Sequence, residues 1–131
     1  MTRLAVLLVD DEQLILDSLR IQIRKALGEA RCAIECATDV EEAWDVIEEL
    51  VASEVRIVLI FSDWLMPGTR GDAFLGEVKN RYPKITRVLL TGQADSDVLR
   101  RVQDEGIVDK LLFKPWTQGD LLHTISLALP G

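Results

Sequence analysis

Ile57 to Phe61 is an unbroken apolar run that ends in Ser62-Asp63, and the chain turns at Pro67-Gly68 soon after. A short apolar run bounded by turn residues reads as a strand buried on both faces, the situation of a parallel sheet covered by helices. In open sheets of that kind, chemistry gathers just outside the carboxyl ends of the strands. Asp63 stands at such an end. The question is what else arrives at the same edge.

The flanking sequence supplies further strands and helices in regular alternation. Leu4 to Val9 predicts a first strand, and Leu16, Leu19, Ile23 and Leu27 recur at helical spacing before a stop at Gly28. Cys32 to Thr38 alternates partially, as an outer strand does. Asp39 and Glu42 then make a capping-box-like start for a helix with the apolar stripe Ala43, Val46, Ile47 and Leu50. Val55 to Ser62 is the third strand, followed by a loop from Trp64 to Gly71. Asp72 is expected to cap the next helix, in which Phe74, Leu75 and Val78 are apolar and Pro83 lies beyond the end. Ile85 to Leu90 predicts a fourth strand, and a helix from about Asp95 to Glu105 carries Val98, Leu99 and Val102. Ile107 to Phe113 contains the fifth strand. The last helix carries Leu121, Leu122, Ile125 and Leu129, and Pro130-Gly131 reads as a domain edge. Repeated β-α alternation with short connections means an α/β fold: one doubly wound parallel sheet with right-handed crossovers.

Composition narrows the partners. The 131 residues fit one domain with room for a core. A net charge of −7 opposes direct nucleic-acid binding and docking on anionic lipid. No uncharged apolar stretch nears the ~18 residues of a membrane span. Met1-Thr2-Arg3 leads straight into a strand without a signal-peptide plan, so the expected location is the cytoplasm. Cys32 and Cys36 fall on one face of a strand, roughly 13 Å apart, too far for a disulfide. With His123 the only histidine, both cysteines read as small hydrophobes rather than metal ligands.

Four strands deliver polar groups at their carboxyl ends: Asp10, Asp11 and Glu12 after the first, Asp63 after the third, Thr91 after the fourth and Lys114 after the fifth. An Asp after a strand is also a common helix N-cap, and a Lys-Pro pair an ordinary turn, so no single residue decides the matter. Together they are complementary. Asp10, Asp11 and Asp63 in one crevice repel each other, and a hard divalent cation relieves the repulsion. Lys114 adds a second positive charge and Thr91 a hydroxyl. This inventory suits phosphoryl transfer, in which catalysis is mostly positioning and charge neutralisation, with the central carboxylate, Asp63, as nucleophile.

Val9-Asp10-Asp11-Glu12, Ser62-Asp63-Trp64-Leu65-Met66-Pro67-Gly68, Leu90-Thr91-Gly92 and Phe113-Lys114-Pro115-Trp116 resemble, in order and spacing, the response regulator receiver domain of two-component signalling. The resemblance covers essentially the whole chain. It implies a flavodoxin-like (βα)5 fold with strand order 2-1-3-4-5. It also implies that Asp63 accepts a phosphoryl group from a phosphohistidine on a sensor histidine kinase. Mg²⁺ (or Mn²⁺) would be held by Asp11 directly, Asp10 mainly through water, Asp63 and the backbone carbonyl of Leu65. Thr91 would bond a phosphoryl oxygen and Lys114 would pair with the group. The Lys114-Pro115 bond would be cis, and the change on phosphorylation would alter a partner surface. Leu111 departs from the pattern, because the family often has Tyr or Phe there as a ring that turns inward. Trp116 is read as a packing residue or a reporter of that change. Leu65 and Gln93 are the positions expected to tune the lifetime of the phosphorylated form, which should not be unusually short.

Three rival functions fit the sequence less well. Aspartate-nucleophile phosphohydrolases place two aspartates two residues apart, and neither Asp10 nor Asp63 has that partner. A mononucleotide-binding module needs a glycine- and hydroxyl-rich loop where Asp10-Asp11-Glu12 stands. A phosphorylation-independent interaction module would not need the intact Asp63, Thr91 and Lys114. No output segment follows the last helix, so the chain is expected to be a stand-alone receiver or the N-terminal piece of a longer protein. Receivers ending in a sequence like Lys114-Pro115-Trp116 favour the second. Arg100, Arg101, Asp104, Asp109 and Lys110 give the face of helix four, strand five and helix five charges that would pair across a two-fold, or simply be solvated.

Overall fold

In a computed structural model, residues 3–28, 32–92 and 96–129 are described. The elements run β1 (Leu4–Val9), α1 (Gln13–Leu27), β2 (Ala33–Ala37), α2 (Val40–Ala52), β3 (Arg56–Asp63), α3 (Gly71–Arg81), β4 (Thr86–Thr91), α4 (Ser96–Asp104), β5 (Lys110–Phe113) and α5 (Gln118–Ala128). The sheet is parallel in the order β2-β1-β3-β4-β5, a flavodoxin-like arrangement.

Strand alternation builds two cores. Val6, Leu8, Leu59 and Phe61 pack against Leu16, Leu19 and Ile23 of α1 and Leu121 and Ile125 of α5. Leu7, Val9, Ile60 and Leu89 face Ala43 and Ile47 of α2, Phe74, Leu75 and Val78 of α3, and Val102 of α4. Both faces of β1 and β3 are therefore covered, which explains why β1 and the run Ile57 to Phe61 of β3 are continuously apolar rather than alternating. The register sets Val9 beside Ser62, Asp63 beside Leu90, and Thr91 beside Phe113, so the strand ends meet at one edge.

The α2 cap is as expected: the Asp39 carboxylate accepts from the Glu42 N–H (2.7 Å), and Glu42 accepts from the Thr38 N–H (3.0 Å). Asp72 does not cap α3. Arg70 occupies the cap position without a side-chain capping bond, and Asp72 is buried within the first turn, where two arginines claim its carboxylate. Leu122 departs from the expected stripe of α5 and is 44% exposed; the buried face is completed by Thr124, whose hydroxyl donates to the Asp120 carbonyl (2.7 Å). Cys32 and Cys36 are not joined in a disulfide, and Cys36 Sγ accepts from Arg20 (3.1 Å). Asp95, Pro130 and Gly131 lie outside the described residues. Among those described, no helix is long and apolar enough to cross a membrane.

Candidate functional site

The chain brings Asp10, Asp11, Asp63, Thr91 and Lys114 to the carboxyl edge of the sheet. Asp11, Asp63, Leu65, Thr91 and Lys114 line a cleft of about 310 Å³. Asp10 lies beneath them, fully buried after β1, with Oδ1 accepting from the Glu12 N–H (2.9 Å). Lys114 Nζ donates to Asp63 Oδ1 (3.0 Å) and to Asp10 Oδ2 (3.1 Å). The Lys114-Pro115 bond is cis. Thr91 Oγ1 is buried and has no hydrogen-bond partner among the described residues.

The electrostatics are unbalanced. Burial pushes the Asp10 carboxyl above the usual range, and the neighbouring Asp63 charge adds to it, against the Glu12 N–H and Lys114. Burial also raises Asp63, with Asp11 contributing, while the Lys114 bond and charge pull it down. Burial alone would lower Lys114, but its bonds to Asp63 and Asp10 outweigh that and raise it. One ammonium thus serves carboxylates that remain harder to ionise than usual. One oxygen from each of Asp10, Asp11 and Asp63 lies within 4.8 Å of the others. This all-oxygen donor set, still short of positive charge, fits a hard divalent cation.

The loop after Asp63 is held by contacts that sequence reading missed. The Gly71 N–H donates to the Trp64 carbonyl (2.7 Å), and the Trp64 N–H donates to the Leu90 carbonyl (3.0 Å). A Cβ on Gly71 would lie 1.9 Å from the Asp63 carbonyl oxygen, so only glycine fits. Leu65 is 58% exposed at the mouth of the cleft. Leu111 is half-buried against the α2–α4 core. Trp116 packs on the α1–α5 core, and its indole N–H donates to Gln22 of α1 (2.7 Å). Gln93 lies outside the described residues. Of the charges on the α4–β5–α5 face, Arg101 is engaged by Asp72 and Glu105, and Asp109 accepts from the Arg87 N–H (2.8 Å). Both are committed within the chain.

This constellation, on this strand order, defines a class of signalling domain. The chain belongs to the response regulator receiver domain family, whose model matches residues 6–126. It is 33% identical to the hydrogenase transcriptional regulatory protein HoxA of Cupriavidus necator, over 95% of this chain and 24% of that protein. It is 32% identical to the DNA-binding transcriptional regulator NtrC of Escherichia coli K12, over 85% of this chain and 22% of that protein. The chain thus spans about a quarter of the length of these relatives. Among solved structures, the chemotaxis response regulator CheY4 of Vibrio cholerae is similar, with a TM-score of 0.75 at 26% identity, covering 98% of this chain and 100% of that one.

Proposed function

We propose that this receiver domain takes a phosphoryl group onto Asp63 from a phosphohistidine of a sensor histidine kinase. An Asp63 carboxylate oxygen attacks phosphorus, the P–N bond breaks, and its electron pair returns to the imidazole. Asp10, Asp11, Asp63 and the Leu65 carbonyl would hold Mg²⁺ or Mn²⁺, which supplies positive charge against the phosphoryl oxygens when bound. Lys114 pairs with the transferred group. Thr91, which has an unused buried hydroxyl, donates to one of its oxygens. Leu14, 81% exposed in the first turn of α1, and Leu65, 58% exposed at the cleft, are apolar side chains that the kinase would cover. The observation that carries the reading is Lys114 between Asp63 and Asp10, beside an orphaned Thr91 hydroxyl.

Phosphorylation then changes the surface offered to an output domain or a separate target, in the cytoplasm. The names of HoxA and NtrC point to transcriptional control for a longer protein of this kind, through a DNA-binding segment other than this acidic domain. A homodimer through α4, β5 and α5 would draw on Arg100, Asp104 and Lys110 rather than on Arg101 and Asp109.

The test is intact mass after incubation with acetyl phosphate, with and without Mg²⁺, beside Asp63→Asn. One added phosphoryl group, dependent on Mg²⁺ and absent from the variant, is expected. A folded wild-type protein that takes no group and releases no phosphate from the donor would overturn the reading.

A further inference from the structure

The helix α4 is weakly held. Only Val102 is buried among its described residues, whereas α2 buries Ala43 and Ile47, and α1, α3 and α5 bury more. Its C-terminal end is pinned, since the Val102 carbonyl accepts from the Ile107 N–H (2.9 Å) and Lys79 Nζ donates to the Glu105 carbonyl (2.6 Å). Further back, Arg101 reaches from α4 to Asp72 at the start of α3.

Asp72 is an unusual anchor. Its side chain is 1% exposed, and one oxygen, Oδ2, accepts from both Arg70 (3.0 Å) and Arg101. The other oxygen, Oδ1, is buried without a hydrogen-bond partner among the described residues, as is the indole nitrogen of Trp64. A buried carboxylate served on one side only depends strongly on the cations it has. The loop from Asp63 to Asp72 is also short and closed. Its ends are joined by the Gly71–Trp64 bond, and Gly71 lies against the Asp63 carbonyl with no room to spare. A displacement of the Asp63 backbone therefore moves Asp72. The unmet donor on Trp64 and the unmet acceptor on Asp72 sit at the two ends of this loop, so the resting placement leaves hydrogen bonds to be gained in another one.

We infer that the Arg70–Asp72–Arg101 cluster ties α4 to the acceptor loop and transmits the state of Asp63 to α4. It does so where Leu111 offers no aromatic ring to turn. Asp72 is thus a positioning residue. The coupling rests on the receiver reading of Asp63; the resting-state tie does not.

Amide hydrogen exchange, read residue by residue, tests it. Arg101 is 42% exposed, so Arg101→Gln leaves the core intact. That variant should exchange the amides of residues 96–104 at least about tenfold faster in the resting protein, with β1 and β3 unchanged. Arg101→Lys should recover most of the protection, and Asp72→Asn should match Arg101→Gln. In wild type, Mg²⁺ and acetyl phosphate should loosen the same amides, and in Arg101→Gln they should add little. Unchanged exchange in resting Arg101→Gln overturns the tie. A wild-type protein that carries the phosphoryl group by intact mass yet keeps its α4 protection overturns the coupling and leaves the site reading standing. A wild type that takes no group sinks both the site reading and the coupling, and the resting variant alone then judges the tie.

Discussion

The two ends of the sheet bury charge in opposite ways. At the carboxyl end, Lys114 is shared between two carboxylates whose pKa values stay raised, and the Thr91 hydroxyl has no partner among the described residues. Toward the amino end, Arg87 of β4 is 5% exposed and well supplied. Its guanidinium donates to the carbonyls of Ile107 (2.8 Å), Ile85 (2.9 Å), Pro83 (3.3 Å) and Gly106 (3.3 Å), and Asp109 lies 3.8 Å away. A satisfied buried charge fixes local structure. An unsatisfied one holds free energy that a ligand can release. The same fold therefore carries a structural cation at one end and an acidic cluster short of positive charge at the other.

The comparison breaks most visibly at Arg87. Arg87→Met should lower stability by about 3 kcal/mol, because the carbonyls of Ile107, Ile85, Pro83 and Gly106 lose a shared charged donor. Urea unfolding checks the loss, and the folded fraction should still take up a phosphoryl group on Asp63. Lys114→Ala should do the reverse. Phosphorylation by acetyl phosphate, followed by mass, should slow by about 100-fold, as removal of a charge-stabilising donor does elsewhere. If both variants damage folding and phosphorylation alike, the two ends are not separate devices.

Much of this was legible in the sequence, and the reason is positional. Asp10, Asp63, Thr91 and Lys114 each follow an apolar run, so strand periodicity alone carries them to one edge. The strand order came from the family resemblance rather than from periodicity. Arg87 was not legible, because its partners are backbone carbonyls around Pro83 and Gly106 that no side-chain pattern reveals. Asp72 was misread for a related reason. An Asp before an apolar helix reads as a cap, and only the tertiary arrangement shows that Arg101, 29 residues on, claims it. Gly71 carried a faint signal, a glycine directly before a helix, but the approach of Asp63 that demands it is a loop closure set in three dimensions.

Mg²⁺ sharpens the contrast with a smaller effect. Saturating Mg²⁺, at about 100 times its dissociation constant, should add about 2.7 kcal/mol to stability by mass action. The increment should vanish in Asp11→Ala, which removes one of the proposed ligands, and persist beside any folded Arg87 variant. Equal stabilisation of wild type and Asp11→Ala would mean that the cation binds elsewhere.

The smallest effect concerns how long the carboxyl end stays loaded. An acyl phosphate on Asp63 is lost when water attacks phosphorus in line, and a side chain at the mouth of the cleft speeds this only by orienting that water. Leu65 lines the mouth, stands 58% exposed and has no polar atom beyond its backbone. The phosphorylated form should therefore persist well beyond seconds, and Leu65→Asn, which adds a donor and an acceptor there, should shorten its life severalfold. Decay of the phosphoprotein, followed by mass after removal of the donor, measures both. Loss within seconds from wild type would show that water is oriented by a group other than the residue at position 65.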